Sequence, residues 1–276
     1  MAKTSCSGAG ELRLPQQASP RSCGGDTARR TPGLTHNSNV ITSSAHNLTL
    51  DDLAARLRGL GPLEEQQGYC YVIRTVRLQN GTLVQTASAP NFDGGYITLC
   101  TCKHSMRATM PVEAWEAGVW VAGMNRWDIE SRKRQGLVYM MRIGEAYNSH
   151  FELVRSFNQS GRAITVELKT STTNPRGDVM LPRSNSLAPN TYRLSSSYQI
   201  PMLGHAHRKD VNDSGWTDDI TYESDDGVPA ALLVGDPAYS FTWSKQLIRN
   251  KRPGSLRPYR RWDLGMLLSN LEDFPS

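Results

Sequence analysis

Apolar residues in this chain come in short bursts, repeatedly closed within a few positions by Gly, Pro or Asn. A chain punctuated in this way supports several short strands joined by tight turns better than it supports long helices. The segments Gly68 to Leu78, Thr82 to Ser88, Gly94 to Lys103, Val119 to Met124, Gly136 to Ile143, Ile164 to Leu168 and Val228 to Gly235 read as strands. Asn80-Gly81 supplies a hairpin turn between the first two. Helical spacing is confined to Leu50 to Leu60, with Thr49 as N-cap and Gly61-Pro62 as the stop, to Asn148 to Phe157, and to Leu264 to Leu271. The fold expected is α+β: a mixed, mainly β curled sheet or small open barrel with peripheral helices and a long loop insertion at about 170–227.

Residues 1–47 are rich in Ser, Thr, Gly, Pro and Asn and lack a hydrophobic period, which predicts a disordered or loosely ordered extension ahead of a single domain over 48–276. Five cysteines without dense spacing argue against a disulfide framework. No stretch approaches the roughly 18 apolar residues of a membrane span, and the start of the chain carries no apolar core of signal-peptide length. The expectation is a cytoplasmic protein with no membrane partner.

The segment from Ala89 to Arg107 organises the candidates for chemistry. Pro90, Gly94 and Gly95 force a turn that places Asn91 and Asp93 ahead of an apolar run. A carboxylate there could orient water or stabilise positive charge on a sugar, and an amide could read a base edge, so Asp93 and Asn91 are catalytic candidates. Asx-turn hydrogen bonding is the alternative for both. Phe92, Tyr96, Trp127, Tyr239 and Phe241 are candidate stacking walls. Asp236, in Leu233-Val234-Gly235-Asp236-Pro237-Ala238-Tyr239, has a superficial likeness to the Gly-x-Asp-Pro-Tyr loop of uracil-DNA glycosylases and is a further catalytic candidate. Cys100, Cys102 and His104 would share one face of a strand, with the outer two about 13 Å apart at Cα, too far to share one metal without a sharp bend, so the thiols read as small buried hydrophobes. His205-Ala206-His207 is a weak metal signal, so no metal and no cofactor are expected.

Charge is distributed unevenly. The chain carries a net charge of +5. Thr242 to Trp262 alone holds Lys245, Arg249, Lys251, Arg252, Arg257, Arg260 and Arg261 without one acid, interleaved with Trp243, Tyr259 and Trp262. Cations for phosphate and aromatics for bases are the footprint of nucleic-acid binding. A solvated surface segment is the alternative. Arg126, Arg132, Lys133 and Arg134 could extend the patch.

The residues Ala89-Pro90-Asn91, Gly95, Thr98-Leu99-Cys100-Thr101-Cys102-Lys103, Arg107, Gly123 and Val138-Tyr139-Met140-Met141-Arg142-Ile143-Gly144-Glu145 resemble the nucleotide modification associated domain 2 (Nmad2) family. The pair of runs Ala117 to Gly123 and Leu137 to Ile143 is similar in pattern to strands of PUA-like barrels of the EVE, ASCH and YTH type. The resemblance implies DNA as partner, specifically phage DNA carrying modified bases, with Lys103 and Arg107 in the substrate site. It implies base flipping followed by N-glycosidic cleavage, that is, a DNA glycosylase in anti-phage defence, or alternatively a reader that binds the base without chemistry.

Overall fold

Thr49 starts the first helix as the sequence predicts: its hydroxyl accepts from the Asp52 amide at 3.1 Å, and Asp51 and Asp52 sit where the helix dipole favours acids. The structure is a computed structural model that describes residues 39–40, 46–79, 82–126, 134–245, 247–249 and 258–273. In chain order its elements are β1 (Asn39–Val40), α1 (Leu50–Leu57), β2 (Gln67–Ile73), β3 (Val76–Gln79), β4 (Thr82–Gln85), β5 (Thr98–Leu99), α2 (His104–Arg107), α3 (Val112–Glu116), β6 (Trp120–Asn125), β7 (Leu137–Tyr147), α4 (His150–Gln159) and α5 (Ala163–Lys169). They continue with α6 (Asp218–Thr221), β8 (Leu232–Thr242), β9 (Ile248–Arg249), β10 (Arg260–Asp263), α7 (Leu264–Ser269) and β11 (Leu271–Glu272).

The architecture is α+β. Six strands form one mixed sheet in the order β10-β2-β6-β7-β8-β5, in which β2 and β6 run parallel and the other neighbours antiparallel. Among the described residues the sheet is open and does not close into a barrel. Side chains alternate across it. Tyr69, Tyr71, Ile73, Val121, Tyr139 and Met141 face a core completed by Phe92, Leu99, Met106 and Trp115. Cys70, Val72, Trp120, Ala122, Met124 and Met140 face the opposite core, which α1 and α7 close with Leu53, Leu57, Leu264 and Leu267. Burial on both faces explains why β2, β6 and the first half of β7 read as continuous apolar runs. Among the described residues, no helix is long and apolar enough to cross a membrane.

Three expectations fail locally. Residues 164–168 are helical, not a strand: Thr165, Val166 and Lys169 point inward at helical spacing while Ile164 and Leu168 face outward. Of the strand expected from Gly94 to Lys103 only Thr98–Leu99 pairs, because Cys102 and Lys103 adopt left-handed conformations (φ 58° and 50°) that turn the chain into α2. The expected loose extension lies mostly outside the described residues, yet β1 pairs with β4, and the Asn47 side chain accepts from the amides of Ser244 and Lys245. The insertion at 170–227 builds its own small core from Met180, Tyr198, Trp216 and Ile220 against Phe151.

At Gly123 the absence of a side chain is required. A Cβ there would collide with the Tyr139 ring and the Ile73 methyl, and the same space lets the Tyr71 and Tyr139 hydroxyls meet at 2.9 Å. Gly123→Ala is expected to destabilise the fold by about 1–3 kcal/mol through overpacking, measured as a lower urea midpoint with unchanged slope.

Candidate functional site

The left-handed turn at Cys102 and Lys103 is costly for residues with a Cβ and persists because both sides of it are tied down. The Cys102 amide donates to Asp219 Oδ1 at 3.2 Å, and Arg107 Nε donates to the Cys102 carbonyl at 2.8 Å. Arg107 is itself fully buried and donates through Nη1 to the carbonyls of Ala230 and Ala231. Its position is that of an internal strut.

Around the turn, residues more than a hundred positions apart converge. His104 Nε2 lies 2.7 Å from Asp219 Oδ1, His205 Nε2 lies 3.2 Å from Oδ2, and His207 Nε2 lies 3.7 Å from Oδ1. The Cys102 thiol meets the same His207 nitrogen at 3.1 Å. Tyr222 stacks on His104 with centroids 5.2 Å apart. Asp219 and His205 are closed off from solvent, whereas the His207 side chain keeps 18% of its surface and Cys102 is half-buried. Burial alone would raise the Asp219 carboxyl, but His207, His104 and His205 pull it well below the ordinary value. Burial lowers His104 despite its bond to Asp219. For His207 burial also acts downward, and the charges of Cys102, Asp219 and Asp218 override it, lifting the imidazole to about 10. These side chains are turned on one another as hydrogen-bond partners; among the described residues no three of this type are arranged to hold a metal ion.

Sequence reasoning came close to this cluster and missed it. Cys102 and His104 were expected on an extended strand, and the left-handed turn removes that premise. The His-Ala-His pair and the seven acids of the insertion's acidic stretch, Asp210, Asp213, Asp218, Asp219, Glu223, Asp225 and Asp226, are the available signals, and only the packing of the insertion shows which acid is used.

The expected catalytic residues lie elsewhere. Asn91 is buried: its Oδ1 accepts from the Asp93 amide at 2.8 Å and from Lys169 Nζ at 2.9 Å, and its Nδ2 donates to the Arg176 carbonyl at 3.0 Å. That is an Asx turn with every polar atom engaged. Lys169 is fully buried, lowered by that burial, and also donates to the Tyr96 carbonyl. Asp93 remains partly exposed beside Arg176 at 3.7 Å and Asn174 at 3.4 Å. Asp236 Oδ1 accepts from the Ala238 amide at 2.9 Å.

Phe92 and Phe241 are core residues, Tyr96 packs on Phe157, and Tyr239 meets the Trp120 ring edge-on. Lys103 Nζ lies over the Tyr71 ring and donates to the Pro258 carbonyl at 3.1 Å. Of the basic candidates, Lys245, Arg260 and Arg261 are exposed, while Arg249 is buried between Gln135 and the Trp262 ring. Trp127, Lys251, Arg252 and Arg257 lie outside the described residues.

A cleft of about 720 Å³ opens beside β10, lined by Gln66, Gln67, Tyr69, Thr109, Tyr259 and Arg261 among others. The rings of Tyr69 and Tyr259 meet there at 5.7 Å, and Arg261 reaches across to the Gln67 side-chain oxygen. No family model, no curated protein and no solved structure matches the chain.

Replacing the Asp219 charge while keeping its shape, Asp219→Asn, is expected to cost about 3–5 kcal/mol in urea unfolding, because the buried charge is lost and one of the two acceptor oxygens becomes an NH2 donor facing another donor. In the parent protein the Asp219 contribution is present in full above about pH 4 and is lost as acid protonates the carboxyl, since its folded value lies below the unfolded one. His207 acts in the opposite sense. Its stabilisation is complete below about pH 6.5 and disappears as pH rises through about 10, so the loss of stability between pH 7 and 10 should be smaller in His207→Gln.

Proposed function

We propose that the protein binds DNA along β10 and admits a modified nucleobase to the adjoining cleft. The observation that carries this reading is the cleft itself: Tyr259 and Tyr69 supply aromatic wall, Gln66 and Gln67 stand at its lining, and Arg261 sits at its margin. Aromatic faces hold bases with little regard to sequence, amides read base edges, and guanidinium groups hold phosphate. Arg260 and Arg261 stand exposed on the same strand, and Lys103 is tied to Pro258 at its start. DNA as the polymer and modification of the base both rest on the sequence resemblance.

Of the two activities that the resemblance implies, recognition without cleavage has the better support. Asn91, Asp93 and Asp236 do not line the cleft, and Asn91 and Asp236 hold their own backbone turns. Glu65 is the carboxylate present there, and it is exposed. A reader needs aromatic surface and hydrogen-bonding groups, both of which the cleft provides.

Charge reversal at Arg260 and Arg261 together should weaken binding to duplex DNA and flatten the dependence of affinity on salt by about one phosphate contact per residue. Tyr259→Ala should cost about 1–3 kcal/mol toward duplexes with a modified base. Fluorescence anisotropy over a salt series reads both. Unchanged affinity and salt slope in folded variants would remove the nucleic-acid reading, and alkali-labile abasic sites formed by the parent protein would replace the reader with the glycosylase.

A further inference from the structure

The cluster on Asp219 has no part in the binding cleft, and its composition is that of a reaction centre. We propose that Cys102 is a covalent nucleophile with His207 as its acid–base partner, the buried Asp219 carboxylate lying 3.7 Å from the same imidazole nitrogen, and that the pair acts on acyl carbons such as those of esters.

Geometry carries this in three ways. The thiol and imidazole are in hydrogen-bond contact at 3.1 Å, the reach a nucleophile and its base require. Cys102 and His207 are also the two members of the contact that keep solvent access, while Asp219 and His205 have none. Finally, Cys102 occupies a left-handed position between β5 and α2, a tight strand-to-helix turn of the kind that presents a nucleophile clear of its sheet. His104, His205 and Asp219 are positioning residues: Asp219 accepts from the Cys102 amide, and His104 and His205 are hydrogen-bonded to Asp219.

The charged and titratable groups facing His207 are Cys102 from the turn, His104 from α2, Asp218 and Asp219 from α6, and His205 and Asp213 from the insertion. Acids outnumber cations in this set, which favours the protonated imidazole of His207, and during the reaction the shared proton sits on His207 as the sulfur attacks. The thiolate attacks the acyl carbon, a C–S bond forms, the C–O bond breaks, and the departing alkoxide takes the proton from His207. Water then adds to the thioester while its proton returns to His207, the C–S bond breaks, and the carboxylic acid leaves with the thiolate restored. The sum is ester plus water to acid plus alcohol, with no oxidant and no further reactant.

The test uses the full chain and p-nitrophenyl acetate at pH 7, without DNA, so that its outcome is separable from that of the binding reading. A burst of about one p-nitrophenolate per chain is expected, with an acetyl group on the Cys102 peptide by mass spectrometry. Cys102→Ser should abolish the burst. His207→Ala should slow acetylation of Cys102 by about a hundredfold, within the range general acid–base groups contribute, with circular dichroism confirming the fold. Should that variant fail to fold, the pH profile of carbamidomethylation of the parent by iodoacetamide decides: Cys102 should react at least about tenfold faster than glutathione at pH 6. Absence of the burst, acetylation at other residues only, or a Cys102 no faster than glutathione overturns the proposal.

Discussion

A carboxylate removed from water costs several kcal/mol unless its lone pairs are met by donors. At Asp219 those donors are the Cys102 amide and the imidazoles of His104 and His205, with His207 close by. Satisfying this one group draws together the turn after β5, the start of α2, and two stretches of the insertion. The left-handed backbone at Cys102 and Lys103 is tolerated because Asp219 and Arg107 grip it from opposite sides. A second buried network works in parallel, with Lys169 holding the Asn91 turn and Asp178 accepting from Thr98 and the Cys100 amide. Both networks fix loops to the rim of a sheet whose two faces are already filled.

Much of this fold was legible in the chain. The N-cap at Thr49, strands β6 and β7, and the helices at α4 and α7 follow from capping residues and periodicity, because local preference and tertiary packing agree there. Where they disagree, packing wins. Ile164, Thr165 and Val166 favour a strand by residue type, but α5 lies against α4 and the turn at Gly94, where Thr165 donates to the Gly94 carbonyl. Closure of the sheet could not be read at all, since strand order is set by long-range pairing.

The site was half legible for the same reason. Asn91 and Asp93 stand out in sequence because Asx-turn residues and catalytic residues are the same residue types, and burial alone separates the two uses. Asp219 is one acid among seven in its stretch, and nothing local distinguishes it. Cys102 meets His207 and Asp219 across 105 and 117 positions of chain, so the cluster exists only once the insertion has packed.

The two margins of the main sheet differ in a way that bears on how copies of this protein meet. β5 offers two residues, too few to recruit another strand. β10 offers four, and two of them are exposed arginines. Like charges at an open edge repel an identical edge, and this is how natural sheets avoid stacking rim to rim into aggregates. The paired cations on β10 therefore set a like-charge repulsion against edge-to-edge pairing of two copies along this strand.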